Sequence, residues 1–212
     1  MSTSERRQAR TAAPSHGQEV LPRVLNGWDW ARMARTQNGR QNLRYELIRI
    51  VSGSPSLPKS VSNALVICHG NICRSPFAEA LLQSMMPSLS VKSAGLAATG
   101  GDPAQPGALR AAREFGFDLS DHRSTPLKRS DLEWADLILG MEGRHVMAVK
   151  QLLGGPASNV VTVGDFLERS PHLIPDPWGQ SDDYFRRVFA QITAGTEKLY
   201  AKLQQQEESC SL

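Results

Sequence analysis

The sequence predicts an α/β protein: a parallel sheet with helices on both faces, preceded by a basic helical extension. Three observations carry this. Short apolar runs alternate with stretches of helical periodicity, and such alternation makes successive strands parallel. The apolar runs are continuous, as in strands buried on both faces. No apolar run approaches the roughly 20 residues that a membrane-spanning helix needs.

The elements follow in order. Residues 1–18 are polar and are expected to be disordered. Residues 19–60 form the basic extension and its linker. Leu21, Val24, Leu25, Trp28 and Ala31 alternate with Arg23, Arg32 and Arg35, and Leu43, Leu47, Ile50 and Val51 then keep helical spacing. This predicts two short helices around Gln37-Asn38-Gly39. The Ser-, Gly- and Pro-rich residues 52–60 read as linker. Residues 61–206 form the main domain and 207–212 a tail. In that domain strands are predicted at 64–68, 90–93, 137–141 and 159–163. Helices are predicted at 76–86, 106–115, 143–153 and 182–205.

Charge is uneven. Residues 1–60 hold ten Lys or Arg against four Asp or Glu, and residues 61–212 hold fourteen against seventeen. The net +3 therefore belongs to the extension, and the mildly acidic main domain gives no case for nucleic-acid binding. The extension's basic, Trp-containing helices suit docking on an acidic partner or membrane surface, or packing on the main domain. The N-terminus lacks the apolar core of a secretory signal, so a cytoplasmic protein with reduced cysteines is expected.

Chemistry concentrates in one loop, Cys68-His69-Gly70-Asn71-Ile72-Cys73-Arg74-Ser75-Pro76. It leaves the first strand of the main domain and enters a helix, at the carboxyl end of the sheet where open α/β folds bind ligands. Backbone N–H groups of residues 69–74 can curl into an anion nest, backed by the helix dipole. Gly70 and Asn71 tolerate the left-handed backbone such a nest uses. Arg74 offers a planar fork for two oxygens of a phosphate. The same positive field favours the thiolate of Cys68, its reactive form. Ser75 can donate a hydrogen bond to the Cys68 sulfur. Two cysteines five apart also suggest metal ligands, but His69 and Cys210 are the only obvious further ligands, so no metal or cofactor is expected.

The segment VICHGNICRSPFAE, residues 66–79, resembles the signature of the low-molecular-weight protein tyrosine phosphatases. The resemblance spans about residues 61–202 and recurs at Ser93-Ala94-Gly95, Asp121-His122-Arg123, Asp136-Leu137-Ile138-Leu139-Gly140-Met141 and Asp176-Pro177-Trp178. It implies a four-stranded parallel sheet and metal-free hydrolysis of phosphotyrosine through a phosphocysteine on Cys68. It implies that Arg74 grips phosphate, with His69, Gly70, Asn71, Ile72, Cys73 and Ser75 completing the binding loop. Asp176, on its own a weak Asp-Pro turn signal, becomes the general acid and base. Trp178 walls a pocket for an aromatic ring. Ser93 and His122 hold Asn71 in its strained geometry. A reversible Cys68–Cys73 disulfide is also known in the family. The implied partner is a phosphotyrosine protein, and for bacterial members a tyrosine autokinase of polysaccharide export. Three alternatives stay open: phosphoarginine hydrolysis, arsenate reduction on the same scaffold, and a non-catalytic phosphate-binding adaptor.

Overall fold

The computed structural model describes residues 31, 33–53, 55–168 and 171–210. The expected disorder of 1–18 and nearly all of the first extension helix lie outside these residues. Helix α1 spans Gln37–Ser52. The main domain then runs β1 (Asn63–Cys68), α2 (Arg74–Met85), β2 (Ser90–Gly95), α3 (Pro106–Glu114), α4 (Arg129–Trp134), β3 (Leu137–Gly140), α5 (Gly143–Leu153), β4 (Val160–Thr162) and α6 (Asp182–Cys210). A 3-10 turn, Val163–Phe166, follows β4.

The sheet has four parallel strands in the order β2-β1-β3-β4, as expected. Its strands alternate between two cores, which explains their unbroken apolar sequence. Val66, Leu137, Leu139 and Val161 pack among residues of α2, α3 and α6. Leu65, Ile67, Ile138 and Val160 pack on the other face with Val146 and Val149 of α5. On the first face Phe77 of α2 stacks on Phe189 of α6, with ring centroids 4.0 Å apart. Phe115 and Phe117 meet Phe77 edge-on, and each such pair adds about 1 kcal/mol beyond the area it buries.

Several boundaries differ from the prediction. Helix α2 begins at Arg74, two residues before Pro76, so the arginine itself opens the helix. Helix α6 continues to Cys210, past the predicted end at 205. Helix α4 was not predicted; six residues make less than two turns and leave little periodicity to read. In the extension the break falls at Arg35-Thr36, just before Gln37-Asn38-Gly39: residues 33 and 34 are helical, and Thr36 caps the next helix, α1, its Oγ1 accepting from Gly39 N at 3.0 Å.

The orientation of α1 is the larger correction. Its expected apolar stripe faces outward: Leu47, Ile50 and Val51 are 56%, 64% and 86% exposed. The buried face is Asn42, Tyr45, Glu46 and Arg49. An amphipathic reading assumes that the apolar side is covered. Here every buried polar side chain has a partner on the main domain, described below, so the polar face packs instead.

Candidate active site

The site lies where β1 ends and α2 begins. Residues 69–73 form the turn, and α2 starts with its N-terminus directed at the loop. Cys68 is 2% exposed, and its Sγ lies 3.0 Å from Ser75 Oγ. Asn71 N donates to the same sulfur at 3.2 Å.

Asn71 is the hub of the loop. With φ at 53° it is the one non-glycine residue with positive φ among those described. Its Nδ2 donates to Ser75 Oγ at 2.9 Å and to Ser93 Oγ at 2.8 Å. Its Oδ1 accepts from Thr125 N at 2.7 Å. Its carbonyl oxygen lies 2.7 Å from His122 Nε2. Ser93 passes its own hydrogen to Glu79 Oε2 at 2.6 Å. Because Ser75 Oγ accepts from Asn71, its hydrogen remains to donate to Cys68 Sγ. The polarity of the chain thus runs from Asn71 toward the sulfur. Gly95 lies against this turn, where a Cβ would stand 2.9 Å from Asn71 N.

Arg74 is 1% exposed and joins the loop to three other groups. Nη1 donates to Glu142 Oε1 at 2.7 Å and to the Ile174 carbonyl at 2.9 Å. Nη2 lies 2.6 Å from Asp176 Oδ2. Burial opposes its charge, but Glu142, Asp176 and Cys68 outweigh it and raise the pKa. Nε is buried with no hydrogen-bond partner among the described residues. A charged donor left so is costly, and it fits an oxygen of a bound anion.

Glu142 was missed by the sequence reading. It caps α5 directly after β3, beside the carboxyl end of β1. Burial would raise its pKa, but Arg74 and the hydrogen bond from Arg144 hold it well below the usual carboxylate range. His145 is fully buried; its Nδ1 accepts from the N–H groups of Met141 and Glu142 at 3.2 Å each. Burial, then Arg74, push its pKa far down, so the ring is neutral. A glutamate straight after an apolar strand at the ligand-binding edge of the sheet was the available signal.

The remaining predicted residues divide. Asp176 is brought to Arg74, and the backbone N–H of Trp178 donates to its Oδ1 at 3.3 Å. Trp178 is 66% exposed and is not a core residue. Ile72 is half-buried, and its carbonyl accepts from Gln105 N at 2.8 Å. His69 is exposed, Gly70 half-buried. Cys73 is buried beside Arg74, and burial first, then Cys68 and Asp176, push its thiol up to about 12. Cys68 and Cys73 are free thiols. Among the described residues no three His, Cys, Asp or Glu cluster as metal ligands, and no helix is long and apolar enough to cross a membrane.

A doubly covered parallel sheet with a thiol and a buried arginine on its first strand-to-helix loop defines an α/β phosphatase. Residues 63–209 match the sequence profile described as low molecular weight phosphotyrosine protein phosphatase. The chain belongs to that family. It is 36% identical over 137 residues to the probable low molecular weight protein-tyrosine-phosphatase EpsP of Ralstonia nicotianae, covering 65% of this chain and 92% of that one. It is 39% identical over 128 residues to the low molecular weight protein-tyrosine-phosphatase Wzb of Escherichia coli, covering 60% of this chain and 86% of that one. The structure of tyrosine phosphatase Wzb in complex with sulphate superposes with a TM-score of 0.63 at 33% identity, over 68% of this chain and 99% of that one. The YwlE arginine phosphatase of Geobacillus stearothermophilus superposes with a TM-score of 0.65 at 30% identity, over 70% and 96%.

Proposed function

We propose that the protein hydrolyses phosphotyrosine in proteins through a phosphocysteine on Cys68. The observation that carries this is the buried Arg74 at the end of the loop that Cys68 opens, with its Nε unpaired among the described residues and Asp176 of a separate segment 2.6 Å from its Nη2. In this reading the Cys68 thiolate attacks phosphorus and the P–O bond to the tyrosine breaks. The Asp176 carboxyl gives its proton to the departing phenolate oxygen. Asp176, now a carboxylate, takes a proton from water as the water oxygen attacks phosphorus. Inorganic phosphate leaves and the thiolate returns, stabilised by the hydrogen bond from Ser75. Arg74 and the loop N–H groups neutralise the oxygens on which charge gathers. Exposed Trp178 is suited to lie against the substrate ring. The substrate we propose is a bacterial tyrosine autokinase of polysaccharide export, met in the cytoplasm, where Cys68 and Cys73 stay reduced.

The test is turnover of p-nitrophenyl phosphate and of a phosphotyrosine peptide, with EDTA present, by the full chain and by Cys68→Ser and Arg74→Ala. Both variants are expected to be inactive while the wild type is unaffected by EDTA. Activity retained in Cys68→Ser would remove the mechanism.

A further inference from the structure

Helix α1 lies outside residues 63–209, the part of the chain that matches the family profile. Its buried face nevertheless reaches two walls of the candidate site. Asn42 Nδ2 donates to Glu142 Oε2 at 2.9 Å, and Asn42 Oδ1 accepts from Arg144 N at 2.8 Å. One residue of α1 thus fixes both the carboxylate that grips Arg74 and the backbone next to it. Four residues on, one helical turn away, Glu46 takes His172 by two bonds. Its Oε2 accepts from His172 N at 2.9 Å, and its Oε1 lies 2.9 Å from His172 Nδ1. His172 opens the short segment that ends in Ile174 and Asp176, two of the partners of Arg74.

The rest of the face anchors the helix away from Arg74. Tyr45 OH donates to Asp165 Oδ2 and Arg49 Nε to Asp165 Oδ1, each at 2.5 Å. The Tyr45 ring lies on Gly143, where a Cβ would stand 2.3 Å from Tyr45 Cβ. Asn42, Glu46, Tyr45 and Arg49 are all 8% exposed or less. Side chains this buried and this fully bonded hold their partners in one geometry. Glu142 Oε1 is shared by Arg74 and Arg144. Asn42 stops the carboxylate from turning its other oxygen toward the same two cations.

We infer that α1 is a strut of the active site, with Asn42 and Glu46 as positioning residues for the reaction. Asn42 sets Arg74 through Glu142, and so governs phosphate binding. Glu46 sets the Asp176 segment through His172, and so governs protonation of the leaving group. The inference rests on the proposed phosphatase chemistry.

The experiment uses full-length Asn42→Ala, Glu46→Ala, Glu46→Gln and Tyr45→Phe, with thermal unfolding of each. Inhibition by inorganic phosphate is measured, and kcat/KM is compared for p-nitrophenyl phosphate and phenyl phosphate. Asn42→Ala is expected to raise the phosphate Ki about five- to tenfold. Glu46→Ala is expected to lower kcat/KM about tenfold for phenyl phosphate and only about threefold for the better leaving group. Glu46→Gln keeps an acceptor for His172 N and recovers most of this. Tyr45→Phe lowers Tm but leaves the Ki and the leaving-group ratio within about twofold. Should a variant unfold, the other site of the pair carries the test, since each reads a different parameter. If Ki and leaving-group ratio stay at wild-type values in folded Asn42→Ala and Glu46→Ala, or merely follow Tm as in Tyr45→Phe, the strut is overturned. A wild type without aryl-phosphate turnover would instead remove the phosphatase reading itself.

Discussion

Asp176 Oδ2 lies 2.6 Å from Arg74 Nη2, so the cation of the binding loop directly holds the carboxylate delivered by the segment before α6. This contact fixes where the proposed acid stands relative to the binding loop. It also separates two things a substitution can remove, the charge and the proton.

Asp176→Asn keeps a side chain of the same shape that can still accept from Arg74, but it has no proton to give. We expect kcat/KM to fall about 10²- to 10³-fold for phenyl phosphate. The loss should be smaller for p-nitrophenyl phosphate, whose leaving group needs the proton less. Equal losses for both substrates would assign Asp176 to holding Arg74 alone.

Asn71 combines positive φ with four side-chain and carbonyl contacts, and two substitutions separate them. Asn71→Ala removes the side-chain bonds and keeps the backbone cost, so it should destabilise by about 2–4 kcal/mol. Asn71→Gly relieves the backbone and should recover about 1 kcal/mol of that. Activity should stay low in both, because Ser75 then has no donor fixing which way its hydrogen points. Chemical denaturation alongside aryl-phosphate kinetics checks both parts. Full activity in Asn71→Gly would show that only the backbone matters.

Which of these features a sequence discloses follows from how far apart the partners are. Cys68, Asn71, Arg74 and Ser75 were legible because their chemistry is contiguous and bounded by a strand and a helix. The four strands were legible because burial on both faces leaves them apolar throughout. Asp176, Ser93 and His122 came only from the family resemblance; an Asp-Pro turn or a single His says little alone. Glu142, Asn42 and Glu46 were not legible. Each is a polar residue on a helix end or face, and its meaning lies in a partner 68 to 126 residues away. Helix α1 misled for a related reason. Leu47, Ile50 and Val51 mark an apolar stripe, but specific bonds to Glu142, Asp165 and His172 bury the other face.

Cys73 makes a pH prediction with a definite sign. Its thiol is pushed from its ordinary 9.0 up to about 12 in the folded protein, mainly by burial. The raised value means the folded state keeps a proton that the unfolded state gives up. The stabilisation is therefore complete below 9.0 and is lost as pH climbs toward 12. Wild type should lose about 2 kcal/mol relative to Cys73→Ala between about pH 8 and about pH 10.5. Denaturant unfolding of both proteins at the two pH values measures this. A constant difference would mean that Cys73 ionises freely in the fold.

Ile72 bears on which phosphoryl ester the loop accepts. Among the similar structures are both tyrosine phosphatases and an arginine phosphatase, so fold alone does not choose. A hydroxyl at position 72 would offer the guanidinium of phosphoarginine an acceptor. Ile72 is half-buried, packs beside Gly70, and offers a guanidinium no hydroxyl. A flat phenyl ring needs none and gains from apolar contact. Wild type should therefore prefer a phosphotyrosine peptide over a phosphoarginine peptide. Ile72→Thr keeps the β-branch, so the loop backbone should hold, while one new hydrogen bond should narrow the preference about three- to tenfold. The comparison needs kcat/KM for both peptides with both proteins. A wild type that strongly favours phosphoarginine would overturn the tyrosine assignment while leaving Cys68, Arg74 and Asp176 in their roles, because those residues act on the phosphoryl group and the leaving atom, not on the side chain behind it.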